Sequence, residues 1–324
     1  MKNISIHGGG IAAACCRRLL SRQGFRIVGE TVERPNLPVI MLRDTTQKLL
    51  ADVVGRNDLF SGHHQIRRRA VLWGESATPV FVPHSAVVVS EAELLDSIHE
   101  DSPPAEGEVD WRIFAGHSLS GSPREEHDFG CRVAAAAPVR LKTEASSDAC
   151  WIESQEEGWL FLLPTGPETG WLLCVGGGPE NMLADSRLVA SQIAEADLAA
   201  GQFPSRQFPS HPRAIEPLAG ADWLACGSAA LGFDPLCGEG AGNATREAIL
   251  AAAVIRAASE GEDVQQLASH YSARLTAGFR KHLEICREYY ASGHRGPWWN
   301  RQVADLDRGL DWCSRQLSTF PGFR

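Results

Sequence analysis

The feature that most constrains this chain is the run Gly8-Gly9-Gly10-Ile11-Ala12-Ala13, which follows the short β-type stretch Asn3 to His7. The pattern fits G-x-G-x-x-A. Gly8 permits a tight turn, Gly10 lets backbone approach a pyrophosphate, and Ala13 is small enough for close helix–strand packing. The helix start at Ile11 and Ala12 offers unpaired N–H groups and the positive end of a helix dipole to an anion. A helix over Ile11 to Gln23, Gly24 as its stop and a strand over Phe25 to Gly29 complete a βαβ opening, which predicts a parallel sheet. An acidic residue about twenty positions further on should meet ribose hydroxyls. Glu30 stands at that distance from Gly10, and Glu33 from Ala13.

The rest of the chain alternates. Asp44 to Val54 reads as a helix, Ile66 to Trp73 and Val80 to Val89 as strands, Glu91 to His99 as a short helix and Trp111 to Ala115 as a strand. Arg67-Arg68-Arg69 reads as a solvated strand face. Arg132 to Leu141, Ala149 to Glu153, Trp159 to Leu163 and Trp171 to Val175 have an antiparallel pattern. Gly176-Gly177-Gly178 before Pro179 reads as a hairpin turn, Asp185 to Ala199 as a helix, and the repeated Phe-Pro-Ser stretch around 202–210 as loop. Trp223 to Cys226 is a strand and Gly240 to Glu260 a helix. Leu267, Tyr271, Leu275, Phe279, Leu283, Cys286 and Tyr290 then recur at helical spacing, a stripe that reads as core. The tail with Trp298, Trp299 and Trp312 caps the domain.

A net charge of −9 argues against a sequence-independent grip on nucleic acid. The nine cysteines are odd in number and lack C-x-x-C spacing, so they read as reduced and mostly core, with no metal site. No apolar run is long enough to span a bilayer, and the expected location is cytoplasmic.

A second glycine-rich turn decides between cofactors. Cys226-Gly227-Ser228-Ala229-Ala230 is followed by Asp234-Pro235-Leu236-Cys237-Gly238-Glu239-Gly240-Ala241-Gly242, a long turn that opens a second helix. With the N-terminal motif, this resembles FAD-dependent monooxygenases and oxidoreductases of the aromatic-hydroxylase type, a group that includes flavin halogenases and geranylgeranyl reductases. Their late motif is Gly-Asp-Ala-Ala followed by Asp-Pro-x-x-Gly-x-Gly. The resemblance covers nearly the whole chain and implies FAD contacts at Gly227, Ser228, Asp234, Pro235, Gly238, Gly240 and Ala241. It also implies an arginine beside the flavin at Arg43.

Departures are informative. Ser228 replaces the aspartate of the first element, so a hydroxyl stands where the family has a carboxylate. The middle Asp-Gly of hydroxylases corresponds to Ala115-Gly116, and Glu91 stands where many relatives carry arginine or glutamine. These changes argue against direct reduction by bound NADPH and for a separate flavin reductase, as in halogenases. Trp159-Leu160-Phe161-Leu162-Leu163-Pro164 is similar to the Trp-x-Trp-x-Ile-Pro of tryptophan halogenases, but no lysine lies between Lys48 and Lys142 to serve their chemistry. His84 is the candidate acid–base residue. The segment Pro38 to Leu50 and the aromatic C-terminal helix also resemble flavoproteins that hydroxylate a protein tryptophan during quinone-cofactor maturation.

The expected architecture is α/β: an FAD-binding, Rossmann-like three-layer domain (1–62, 85–120 and 214–260), an inserted antiparallel β-sheet substrate domain (63–84 and 121–213) and a helical segment (261–324). The expected activity is monooxygenation of an aromatic or hydrophobic substrate, a partner protein's tryptophan included. Three alternatives remain: a flavin-binding protein that needs a separate reductase or lacks turnover of its own, a flavin-dependent halogenase-like enzyme, and an NAD(P)-dependent dehydrogenase using the N-terminal fold alone.

Overall fold

The computed structural model describes residues 2–28, 34–100, 107–116, 124–196 and 207–320. The opening is the expected one: β1 (Asn3–His7), α1 (Ile11–Arg22) and β2 (Arg26–Val28), then β3 (Ile40–Arg43) and α2 (Asp44–Val54). Next come β4 (His64–Leu72), β5 (Val80–Val89), α3 (Glu91–Ile98), β6 (Trp111–Phe114) and β7 (Glu125–Asp128). A meander follows, with β8 (Val133–Leu141), β9 (Ala149–Gln155), β10 (Gly158–Pro164) and β11 (Thr169–Gly176). After α4 (Pro179–Asp185) lie β12 (Ile193–Ala196), β13 (Gln207–Pro209), β14 (Arg213–Glu216), β15 (Trp223–Ala225) and β16 (Leu231–Gly232). Three helices close the chain: α5 (Gly240–Ser259), α6 (Val264–Ala291) and α7 (Pro297–Thr319).

Three sheets result. A parallel one runs β15-β6-β1-β2, so strands far apart in sequence contribute to a single sheet. A larger one runs β12-β8-β11-β10-β9-β4-β5-β3, with β13 paired to β8. It is antiparallel except where β4 lies parallel to β9. Strand β5 passes through residues 84 and 85 without a break and pairs with β3, so this sheet reaches into the segment expected to belong to the cofactor domain. The third is β16-β14-β7.

Helix boundaries follow local chemistry. Ser90 caps α3 by accepting from Glu93 N–H, and the Glu93 carboxylate accepts from Ser90 N–H, a reciprocal box. Arg18, inside α1, donates to the carbonyls of Val53, Val54, Ile98 and His99. Arg22 donates to the Val53 and Val54 carbonyls as well, so two cations of α1 meet the carbonyls and negative dipole end of α2, and Arg18 alone those of α3. The aromatic stripe of α6 is core as expected: Tyr271, Phe279, Leu283, Cys286 and Tyr290 are all buried. Tyr271 Oη donates to Ala225 O at the end of β15, 2.7 Å away. The expected cap over 298–312 is α7, which packs along α6.

Three expectations need correction. The helix expected over 185–199 starts earlier and ends at Asp185, because Pro179 sits at its first turn behind an extended Gly178. That also replaces the expected hairpin turn at Gly176–Gly178. The segment after Asp185 is held out of helix from across the fold. The buried Glu153 carboxylate of β9 accepts from the backbone N–H groups of Arg187, Leu188 and Val189 at 2.8–3.0 Å and from the Ser186 hydroxyl. These bonds keep it irregular and free Ile193–Ala196 to pair with β8. Likewise Gln207–Pro209, expected as loop, adds an edge strand to β8, where a proline is tolerated.

Candidate functional site

Helix α1 follows β1 directly and so begins at the carboxyl-terminal edge of the parallel sheet, while α5 is reached from β15 of that sheet through β16 and the Pro235–Cys237 turn. That edge is where open α/β sheets bind ligands. No side chain caps the start of either helix, at Gly10 or at Glu239. Each therefore presents first-turn N–H groups and a positive dipole end without a protein acceptor supplied by its cap.

Close backbone approach joins the two motifs. Gly8 has φ +145°, and a Cβ there would lie 2.8 Å from Gly116 N and 2.9 Å from the Ala115 carbonyl carbon. Gly227 has φ +57°, and a Cβ there would lie 2.7 Å from Ala12 Cβ. Larger residues would push α1 away from β6 and from the turn after β15. Ile11, Ala12 and Ala13 are buried in that contact. Beside it, a groove of about 230 Å³ runs from Gly8–Gly10 along α1, past Ile27, to Leu95 and Ile98 of α3.

The late motif builds its own turn. Asp234 accepts from Leu236 N–H at 2.9 Å, Pro235 fixes the first position of a 3-10 turn, and Gly238 ends it in the left-handed region. The Asp234 carboxylate is almost fully buried and also receives Arg132, which donates in addition to Gln302 Oε1 and Ser210 O. Asp234 thus faces inward, so of the two residues only Pro235 lies on the half-buried side of the turn. Gly227 N–H donates to buried Glu247 at 2.5 Å. Burial pushes the Glu247 carboxyl up to about 8, against the opposing pull of that hydrogen bond. Ser228 is exposed, and its carbonyl accepts from Arg213.

A second cluster meets the same loop from the larger sheet. Arg43, at the end of β3, pairs with Glu239, which is also 3.5 Å from Arg246. A Cβ on Gly242 would lie 2.7 Å from Thr46 Oγ1 of α2. His84 is half-buried, with Nε2 3.4 Å from Arg69 Nη2. Burial, then Arg69 and Arg43, hold its imidazole down to about 4, with Asp44 pulling the other way. At neutral pH His84 is therefore neutral, a hydrogen-bond partner rather than a proton donor.

Ala12 thus sits against Gly227, Gly8 against Ala115–Gly116 and Gly10 against Arg34, while Arg43 pairs with Glu239 in the Gly238–Ala241 turn and His84 lies near Arg43. Glu30 and Glu33 lie outside the described residues. Trp159, of the tryptophan-halogenase-like run, is buried, and its Nε1 donates to Tyr290 Oη at 3.1 Å. It is core.

Sequence reading missed three features. Arg34 lies over Gly10, its Nη2 2.9 Å from where a Cβ would stand, and it pairs with buried Glu91, which also accepts from Leu37 N–H at 2.7 Å. A cation directly after an acidic ribose candidate was the available signal. Glu247 gave no local signal. The third is a cluster of Cys237, His282 and Cys286, whose ligating atoms lie within 4.8 Å of one another. Its only hint was the i, i+4 spacing of His282 and Cys286.

No protein-family model matches the chain, and no curated protein matches it in sequence. Solved structures do match in fold. One is the peptidyl tryptophan dihydroxylase QhpG, essential for tryptophylquinone cofactor biogenesis: TM-score 0.72, 18% identity, 92% of this chain and 78% of that one. Another is the flavin-dependent halogenase CmlS: TM-score 0.74, 18% identity, 96% and 70%. A third is the myxobacterial chondrochloren halogenase CndH, a variant of FAD-dependent halogenases: TM-score 0.73, 15% identity, 99% and 91%. The chain has the architecture of these flavin-dependent proteins. At such identities the likeness is one of fold.

Proposed function

We propose that this chain is an FAD-dependent monooxygenase acting on an aromatic or hydrophobic substrate, with a tryptophan side chain of a partner protein as one candidate. The observation that carries this reading is the contact between Gly227 and Ala12, which seats the turn leading into the Asp234–Gly240 loop against the uncapped start of α1. A lone dinucleotide fold needs only the α1 start. A use for the Asp234–Gly240 loop is what an NAD(P)-dependent dehydrogenase lacks.

In this reading the α1 start, with Gly8 and Gly10, holds the diphosphate, and Arg34 adds a cation. The α5 start at Gly240 and Ala241 faces the ring, Arg43 is oriented by Glu239, and Ser228 offers a neutral hydroxyl. Bound FAD would supply the electrons and oxygen activation that hydroxylating an electron-rich carbon requires. The protein's part is position, exclusion of water and hydrogen bonding, with His84 as a neutral acceptor. Burial, then Arg69 and Arg43, make it a weak base.

We further infer that electrons come from a separate flavin reductase. Ala115–Gly116 packs on Gly8 and offers no carboxylate there. A halogenase reading is weaker: Lys142 donates to Ser191 O at 3.0 Å in a solvent-facing contact. Cytoplasmic location fits this proposal, and among the described residues no helix is long and apolar enough to cross a membrane.

The test is direct. Purified protein is expected to bind FAD, to keep it oxidised when NADPH alone is added, and to consume oxygen once the flavin is reduced chemically. A folded preparation that takes up no FAD overturns the reading. Rapid bleaching by NADPH alone overturns the separate reductase.

A further inference from the structure

The turn that follows Asp234 carries a thiol with an unusual set of neighbours. Cys237 Sγ lies 3.4 Å from Cys286 Sγ of α6, and Cys286 Sγ lies 3.4 Å from His282 Nε2, one helical turn away on the same face. The two cysteines differ in access. Cys237 is partly exposed, whereas Cys286 is buried. A second close pair, Cys16 and Cys226, stands 3.9 Å apart with both thiols buried.

We propose that Cys237 and Cys286 form a redox-active dithiol that reduces a hydroperoxide, with Cys237 as the attacking thiol and Cys286 as the resolving one. The inference stands on the sulfur geometry and does not depend on which cofactor the protein binds.

The reaction balances. The Cys237 sulfur attacks one peroxide oxygen and the O–O bond breaks. Sulfur loses two electrons and becomes a sulfenic acid, while the other oxygen leaves and takes the thiol proton as an alcohol or water. The Cys286 sulfur then attacks that sulfenic sulfur. An S–S bond forms, the S–O bond breaks, and the oxygen leaves as water with the Cys286 proton. Two thiols and one hydroperoxide give one disulfide, one alcohol or water molecule, and one water.

Three observations favour this division of labour. Attack requires a thiolate, and the hydrogen bond from Cys286 brings the Cys237 thiol down, with burial opposing. Cys286 is pushed up, by that same hydrogen bond and by burial, as suits a thiol that waits for its partner to be oxidised. Closing from 3.4 Å to the roughly 2.05 Å of a disulfide takes a shift that side-chain rotation can supply.

A soft cation such as zinc could also use two sulfurs and an imidazole at these spacings. The imidazole argues against it. His282 Nε2, the nitrogen facing the sulfurs, already accepts from Asp234 N–H at 3.0 Å, so its lone pair is engaged. Metal binding would have to break the hydrogen bond that seats the turn.

The experiment treats the reduced, full-length protein with one equivalent of hydrogen peroxide and maps its thiols by differential alkylation and mass spectrometry. The expected product is a peptide pair linked through Cys237 and Cys286, reversed by dithiothreitol, while Cys16 and Cys226 stay reduced. Before oxidation, Cys237 should alkylate faster than Cys16 or Cys226 by on the order of tenfold or more. Cys286→Ser should leave Cys237 as a sulfenic acid that dimedone captures, and Cys237→Ser should leave Cys286 a free thiol. If either variant fails to fold by circular dichroism, the wild-type map still decides. The proposal is overturned if peroxide leaves both thiols alkylatable, if Cys237 oxidises further without pairing, or if the protein as isolated carries one zinc per chain that shields both cysteines.

Discussion

Gly227 and Ala12 are far apart in sequence, yet a single methyl group on Gly227 would stand 2.7 Å from Ala12 Cβ. Contact this close leaves no room for relaxation, because Ala12 is buried and Gly227 has φ +57°. Gly227→Ala should therefore cost about 2–4 kcal/mol of stability, from overpacking plus left-handed backbone strain. It should also displace the start of α1 from the turn after β15 and weaken FAD binding. Thermal melts with and without FAD check both effects. Unchanged melting and unchanged FAD uptake would show that the two motifs are not coupled.

Glu247 gives a pH signature. Its carboxyl is raised from an ordinary 4.5 to about 8 by burial, so the folded state holds the proton more tightly than the unfolded state. Its contribution is present in full below about pH 4.5 and is lost as pH rises through about 8, a loss of a few kcal/mol if the whole shift is expressed. Glu247→Gln keeps an acceptor for Gly227 N–H and cannot ionise. The stability of the variant relative to the parent should therefore climb from pH 5 to pH 9 in urea titrations. A constant difference across that range would count against a raised carboxyl.

His84 should titrate far from an ordinary histidine. Burial, Arg69 and Arg43 hold it down to about 4, so between about pH 4 and 6.5 the unfolded chain binds the proton and the folded one does not. Its contribution to stability is present above pH 6.5 and is lost as pH falls through 4. Imidazole resonances followed by NMR against pH should show His84 unchanged through neutrality. Arg69→Gln should move its midpoint upward. An inflection near 6.5 in the parent would remove the basis for treating His84 as a neutral acceptor.

The Arg34–Glu91 pair separates binding from stability. Arg34→Gln alone leaves the buried Glu91 carboxylate with Leu37 N–H only, and should both destabilise the protein and weaken FAD binding. In Arg34→Gln with Glu91→Gln, two neutral groups can still hydrogen-bond, so most of the stability should return. FAD affinity should not return, and should stay down by about tenfold or more, the value of one charge-assisted hydrogen bond. Fluorescence titration of both variants checks this. If the double variant regains parental affinity, Arg34 serves only to neutralise Glu91.

What could be read in the sequence was what local chemistry decides. β1, α1 and α2 carry their own signals in the Gly8–Gly10 turn, in Asp44 at a helix start and in the apolar spacing of the core. The aromatic stripe of α6 was legible for the same reason. The failures came from groups that act across the fold. Asp185 to Ala199 has helical composition, yet Glu153, reaching from β9 to three consecutive N–H groups, holds the stretch just after Asp185 out of α-helix. Asp234 fits a family motif, but its partner Arg132 could not be found by spacing, and neither could the approach of Cys237 to Cys286. Buried charges find partners through tertiary packing, which one sequence does not disclose.

That buried pair supports the last prediction. Arg132 and Asp234 are both almost fully out of solvent, and Arg132 also lies over the Tyr290 ring, 4.8 Å from its centre. Removing one partner strands the other, so Arg132→Met should cost about 3–5 kcal/mol. Adding Asp234→Asn removes the stranded charge while an amide oxygen can still accept from Leu236 N–H, so the double variant should recover much of the loss. The 3-10 turn that carries Cys237 should then persist, and with it the cofactor loop. If Asp234 works through the fold, FAD affinity in the double variant should follow its stability. A stable double variant that fails to bind FAD would instead place the Asp234 carboxylate in contact with the cofactor, as the family resemblance implied.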